Sequence, residues 1–277
     1  MLPDHLQWTK FSGASWLLDN SGFYYTRFPE PKEGEAFQQL NLNAAVYFHK
    51  LGTDQSEDVL VFSDPQNPEW GFGAGVTEDG KFLVITGWKG TDNKYRLWVK
   101  DLRTPDAAPM VVVDNWENEW NYVANDDFVF TFMTDKDAPR KRVVRFDIRK
   151  GPAELAEIIP QADQTLESAG CTGNMLVASY LKDVLPLVRI HDMNGKHVRD
   201  VDFPGLGSGG GFGGKRSETE TFYGFSSFNI APSIYRYDMT TGKSELFRTA
   251  KVDFDPDNYE VKQVFYSSKD GTRIPMF

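Results

Sequence analysis

The stretch Ile234-Tyr235-Arg236-Tyr237-Asp238-Met239 alternates apolar and polar side chains, and its apolar positions carry aromatic and β-branched types. That is the pattern of a strand half buried in a sheet. The same motif, apolar then polar then apolar, closes four earlier runs: Val46-Tyr47-Phe48-His49-Lys50-Leu51, Leu97-Trp98-Val99-Lys100-Asp101-Leu102, Val143-Val144-Arg145-Phe146-Asp147-Ile148 and Leu187-Val188-Arg189-Ile190-His191-Asp192-Met193. Aligned on the last polar position (50, 101, 147, 192 and 238), the runs recur at intervals of 51, 46, 45 and 46 residues, and four of the five hold Asp there. A period of this length marks a structural repeat.

Working outward, a turn cluster and a second strand precede each run. Asp19-Asn20-Ser21-Gly22 leads into Phe23-Tyr24-Tyr25, Glu78-Asp79-Gly80 into Phe82 to Ile85, and Asn125-Asp126-Asp127 into Phe128-Val129-Phe130. Thr172-Gly173-Asn174 and Ser217-Glu218-Thr219 do the same before Met175 and Phe222. Fourth strands are expected at Val59 to Phe62, Met110 to Val113, Leu155 to Ile159, Val198 to Phe203 and Leu246-Phe247. With 24 Gly and 15 Pro spread along 277 residues, no stretch keeps a helical period. Four strands per unit of 40 to 50 residues predict an all-β chain, a β-propeller of about five four-stranded blades. A blade cannot bury both its faces alone, so bare terminal blades would expose apolar surface, and the chain is expected to be part of something longer.

Composition narrows the functions. The formal charge is −10, the isoelectric point is near 5.0 and the mean hydropathy is −0.47, which fits a water-soluble globular chain. An acidic chain without a long Lys/Arg run gains little from counterion release, so neither nucleic acid nor an anionic membrane surface is an expected partner. The one cysteine, Cys171, allows no internal disulfide and fits a reducing compartment; it is expected to be small, buried and inert. Met1-Leu2-Pro3-Asp4-His5 lacks the layout of a secretory signal, and a cytoplasmic location is expected, with a periplasmic or secreted one left open.

Three strings in order, Phe11-Ser12-Gly13-Ala14-Ser15-Trp16, Leu51-Gly52-Thr53-Asp54-Gln55-Ser56-Glu57-Asp58-Val59-Leu60 and Tyr266-Ser267-Ser268-Lys269-Asp270-Gly271-Thr272-Arg273-Ile274-Pro275-Met276-Phe277, closely resemble the prolyl oligopeptidase family. The resemblance covers essentially the whole chain. It implies a serine peptidase in which a seven-bladed propeller caps an α/β-hydrolase domain, restricts entry to short peptides, and leaves cleavage after proline to that second domain. Residues 1–258 then correspond to a partial propeller, and residues 259–277 to the junction and first strand of a hydrolase domain absent from this sequence. The related oligopeptidase B, which cuts after basic residues, shares the Leu-Gly-Thr-Asp stretch but differs at the junction.

The resemblance also implies substrate-binding residues. Phe11 matches the phenylalanine of the family's Phe-Ser string. The methionine of a Trp-Met-Gly-Gly-Ala string is replaced by Gly71 in Trp70-Gly71-Phe72-Gly73-Ala74. In Trp88-Lys89-Gly90-Thr91, Trp88 stands for an arginine and Thr91 for a cysteine. Phe72 is expected to fill the space left at Gly71, and Trp88 to offer an apolar face.

No catalytic centre is legible. A nucleophilic serine needs a sharp elbow such as Gly-x-Ser-x-Gly; Gly13-Ala14-Ser15-Trp16-Leu17 fails at its last position. The four histidines, His5, His49, His191 and His197, show no metal-ligand spacing on one element and are expected to be surface or satisfied strand residues. Gly205-Leu206-Gly207-Ser208-Gly209-Gly210 matches a dinucleotide fingerprint, but more glycines and a strand follow it rather than a helix, so an inter-blade loop and inner strand are expected. Asp253-Phe254-Asp255-Pro256-Asp257 lacks the glycine and final Glu of a calcium loop and reads as a solvated linker. No cofactor and no metal are expected. The rival reading, a free-standing propeller that docks proteins, requires recurring Trp-Asp pairs that are not found; a sialidase-like site would require Arg27, Arg96, Arg145, Arg189 and Arg236 to converge.

Overall fold

Each repeat folds as an antiparallel four-stranded meander. The computed structural model describes residues 4–34, 38, 40–253 and 255–277, with Asp257 by its backbone alone. Met1, Leu2, Pro3 and Phe254, on which the readings of the N-terminus and the acidic string partly rest, lie outside the described residues.

Blade one comprises β1 (Ser15–Trp16), β2 (Gly22–Arg27), β3 (Ala45–Lys50) and β4 (Val59–Ser63). Blade two comprises β5 (Trp70–Val76), β6 (Phe82–Lys89), β7 (Arg96–Asp101) and β8 (Met110–Val113). Blade three is β9 (Trp120–Asp126), β10 (Val129–Thr134), β11 (Arg142–Asp147) and β12 (Ala156–Ile159). Blade four is β13 (Leu166–Thr172), β14 (Met175–Lys182), β15 (Leu185–His191) and β16 (His197–Asp200), and blade five β17 (Ser208–Gly213), β18 (Glu220–Ser226), β19 (Ser233–Asp238) and β20 (Ser244–Thr249). Strand order in every sheet follows the sequence. Only single 3₁₀ turns interrupt the strands among the described residues, so no helix there is long and apolar enough to cross a membrane.

The repeated Asp has a local cause. At the end of each third strand its carboxylate accepts the N–H two residues on: Asp101 from Arg103, Asp147 from Arg149, Asp192 from Asn194 and Asp238 from Thr240. The side chain thus stands in for a backbone acceptor and closes the turn toward the fourth strand. Blade one has Lys50 there, and the Lys50 carbonyl takes the Thr53 hydroxyl instead. In four blades the pairing of third and fourth strands slips by a residue, after Val46, Leu97, Ile190 and Ile234. Such bulges sharpen the twist of the outer edge.

Two fourth strands differ from expectation. β16 runs from His197 to Asp200, and Phe203, just ahead of Pro204, leaves the strand to pack on Phe212, Tyr223 and Phe225. β20 is longer than Leu246-Phe247 and exposed along its whole length. Beyond it, where one strand was expected, β21 (Val264–Ser267) and β22 (Arg273–Met276) form a hairpin, because Asp270-Gly271 closes a tight turn: the Asp270 carboxylate accepts Thr272 N–H at 3.0 Å, and Gly271 N–H reaches the Ser268 carbonyl.

Cα packing separates two units, Met1–Lys136 with Arg145–Ala156, and Asp137–Val144 with Glu157–Phe277. In the first, Tyr24, Val46, Trp70, Phe72, Leu83, Ile85 and Trp98 form the core between blades one and two. In the second, Val188, Ile190, Phe212, Tyr223, Phe225 and Tyr237 do so between blades four and five. Each such side chain contributes roughly 1.5–3 kcal/mol by leaving water, which offsets the entropy of ordering these loop-rich sheets.

Candidate functional site

A cavity of about 470 Å³ opens on the first unit, and Phe11, Gly71, Phe72, Trp88 and Thr91 all line it, together with Phe28 and Trp70 among others. Local pairing explains how residues so far apart in sequence meet. β5 and β6 are antiparallel neighbours in which Gly71 faces Trp88 and Phe72 faces Gly87. With no side chain at Gly71, the Trp88 indole lies flat against the strand: a Cβ there would sit 2.5 Å from ring atoms Cε2 and Nε1. Trp88 also passes over Gly73 at 3.3 Å from where its Cβ would be.

This corrects one expectation. Phe72 does not occupy the space at Gly71; strand alternation sends it to the opposite face, where it is 1% exposed and packs edge-on against Phe62 and Trp98. Trp88 takes that space. Thr91 and Gly90 lie on the turn that joins β6 to β7.

The cavity floor is held from below. Thr26 donates its hydroxyl to the Phe72 carbonyl at 2.8 Å, tying β2 to β5. Trp70 is almost fully buried and stacks edge-on against Trp116, with the Lys89 ammonium 4.6 Å from the Trp116 ring and the Arg96 guanidinium 5.1 Å from the Trp70 ring. Arg96 is paired with Asp114, so its charge is compensated outside the cavity. Phe11 stands at the rim, 76% exposed, on a backbone in the left-handed region (φ 56°). Five of the thirteen lining residues are thus aromatic, and two are charged, Glu69 and Lys10, the latter donating to Asn41 at 2.9 Å. The aromatic part of such a surface accepts apolar groups, while Lys10 and Glu69 put one charge of each sign on the lining.

The protein-family model described as "Prolyl oligopeptidase, N-terminal beta-propeller domain" matches residues 1–250. The chain belongs to this family. The prolyl endopeptidase of Elizabethkingia meningoseptica is 39% identical over 277 residues, covering 99% of this chain and 39% of that protein. A dual function macrocyclase-peptidase of Galerina marginata is 34% identical, over 100% of this chain and 39% of its own length. Among solved structures, prolyl oligopeptidase B from Galerina marginata bound to a 25mer macrocyclization substrate superposes with a TM-score of 0.88 at 33% identity, covering 99% of this chain and 39% of that one. The chain therefore spans about two fifths of the length of the prolyl oligopeptidase relatives it matches.

Within this propeller segment the other sequence candidates take structural positions. Ser15 accepts the Val76 N–H at 2.8 Å, bridging β1 to β5. The glycine-rich string becomes a loop and β17, followed by β18 rather than a helix. His49 is fully buried with both ring nitrogens on carboxylates, Asp58 at 2.7 Å and Asp4 at 3.0 Å. His191 and His197 are opposite each other on β15 and β16, with rings 5.5 Å apart, a cross-strand juxtaposition that spacing along one element does not reveal. His191 is buried, which pushes its pKa below the ordinary histidine value, and the neighbouring His197 adds to this. No cluster of three or more His, Cys, Asp or Glu suited to a metal occurs among the described residues. Cys171 is not buried as expected but only partly covered, its thiol 3.7 Å from the Met193 sulfur, because β13 is the first strand of its blade and its middle is only half covered.

Proposed function

We propose that this propeller segment forms one wall of the substrate pocket, and the size-selecting cap, of a serine endopeptidase that cleaves short proline-containing peptides after proline. The observation that carries the reading is the single aromatic cavity gathering Phe11, Gly71, Phe72, Trp88 and Thr91. In this reading Trp88 and Phe11 bury apolar side chains of the peptide, and the Gly71–Gly73 backbone keeps the indole face flat and in place. The nucleophile, base and oxyanion donors come from an α/β-hydrolase domain in the full-length protein, with residues 259–277 as the junction to it. A reducing, cytoplasmic setting belongs to the same proposal and rests on the single cysteine.

The test uses the full-length enzyme. Phe11→Ala should raise KM for a peptide with several residues before the proline by about tenfold, the burial of part of one aromatic ring. It should leave kcat for a minimal prolyl amide unchanged. Unchanged KM on both substrates would remove Phe11 and this cavity from the binding wall, and hydrolysis by the 277-residue chain alone would refute the division of labour.

A further inference from the structure

Phe11 belongs to a segment, residues 4–14, that contains no strand. Something else must hold it. Both Trp8 and Phe11 have bulky side chains on left-handed backbone, φ 58° and 56°, a conformation that persists only where surrounding contacts over-determine it. Those contacts run the length of the segment. Gln7 exchanges two hydrogen bonds with the Gln55 amide at 3.0 and 3.1 Å, Phe28 N–H donates to the Trp8 carbonyl at 3.0 Å, and the Ser12 hydroxyl accepts the Thr26 N–H at 2.7 Å.

The innermost anchor is charged. The Asp4 carboxylate accepts the Gly52 N–H at 2.6 Å and faces His49 Nε2 at 3.0 Å, while the far ring nitrogen, Nδ1, faces Asp58 at 2.7 Å. The side chains of His49 and Asp58 are fully buried and that of Asp4 is 8% exposed. A neutral imidazole has only one N–H and cannot donate to both carboxylates, whereas the imidazolium satisfies both. The Tyr25 hydroxyl donates to the second Asp58 oxygen and accepts from Gln55 at 2.9 Å, so the same network reaches the residue that grips Gln7. The charged and titratable groups around His49 are Asp4 from the N-terminal segment, Asp58 from the head of β4 and, through Asp58, Tyr25 of β2 with Arg27 beyond it.

We propose that Asp4, His49 and Asp58 are positioning residues for Phe11: a buried carboxylate–imidazolium–carboxylate sandwich straps residues 4–12 across blade one and so fixes the aromatic at the cavity rim. This rests on the reading of the cavity given above. Charge sets its working range. Burial disfavours the imidazolium, but the hydrogen bonds to Asp58 and Asp4 outweigh it and raise the His49 pKa; Asp4 is held below the usual carboxylate range by the Gly52 N–H and then by His49. The strap is therefore closed between the two, loosening as pH rises through the folded pKa of His49 and again as pH falls through that of Asp4.

Hydrogen exchange on this chain, read by peptide across pH and corrected for intrinsic rates, tests the strap. Asp4→Asn is the principal variant because Asp4 lies outside every strand. Amides of residues 5–12 should exchange about tenfold faster, the loss of one charge-assisted bond, with β2 and β3 unchanged. In the unsubstituted chain their protection should fall at high pH, and His49→Gln should abolish that dependence. Exchange in Asp4→Asn equal to the unsubstituted chain, or a loss shared equally by β2 and β3, overturns the strap. In the full-length protein the KM increase from Asp4→Asn should vanish in a Phe11→Ala background; a full increase there overturns the positioning role. If Phe11→Ala alone leaves KM unchanged, it is the cavity reading that fails, while exchange still decides the strap.

Discussion

Replacing Gly71 by alanine puts one methyl group where Trp88 lies. The new Cβ would stand 2.5 Å from Cε2 and Nε1 and 2.7 Å from Cζ2 of the indole. Carbon contacts relax at roughly 3.5–4.0 Å, so the ring must retreat by about an ångström. Retreat is resisted on one side, since Trp88 also rests over Gly73, and is open on the other, where the cavity lies. Overpacking of this kind costs about 1–3 kcal/mol, while a Gly-to-Ala change at an accessible backbone conformation returns about 0.4–1 kcal/mol through the unfolded chain. The clash wins: Gly71→Ala should destabilise by about 1 kcal/mol in urea denaturation and shift the tryptophan emission as the indole swings into the cavity. The partner variant isolates the cause. In a Trp88→Ala background the clash disappears and Gly71→Ala should become neutral or stabilising. A penalty that persists there, or a Gly71→Ala protein as stable as the parent with unchanged emission, would refute the claim that this glycine exists to seat Trp88.

Other expectations follow from the same structure. Gly195, at φ 86° in the turn before β16, has the Ile158 carbonyl where a Cβ would be, so Gly195→Ala should cost at least about 2 kcal/mol by thermal or urea unfolding; a neutral result would mean that this turn does not pack as described. Trp120 is 2% exposed, and its indole N–H finds no partner among the described residues. Trp120→Phe should therefore cost less than about 1.5 kcal/mol, against roughly 3–5 kcal/mol for Trp120→Ala, and equal costs would contradict the unsatisfied donor. Asp147 is drawn down to about 2, first by its bonds to the Arg149 guanidinium. A carboxylate with a lowered folded pKa stabilises above its ordinary value and loses that contribution as pH falls through the folded one. Thermal melts of Asp147→Asn should accordingly depend less on acid between about pH 4 and pH 2 than those of the parent, and an unchanged dependence would place the charge coupling elsewhere.

The repeat was legible because a blade's strands are short, local and punctuated: alternation names the strand, and an Asx or Gly names the turn, all within a few residues. The recurring Asp could be counted in the sequence, and its reason, an N–H two residues away, is equally local. Phe11, Gly71, Phe72, Trp88 and Thr91 could be marked by resemblance, yet their meeting in one cavity could not, since the strandless segment that carries Phe11 reaches the β5–β6 hairpin only in the folded chain. The choice of Trp88 rather than Phe72 to fill the space at Gly71 depended on which face each strand turned inward. A slip of one residue reverses that face, and only the cross-strand register settles it. His49 looked like one more strand residue; Asp4 and Asp58, 45 and 9 positions away, turned it into a buried ion network. Local pattern thus determined what this chain is built from, while long-range pairing, which no window of sequence contains, decided which side chains face a common space.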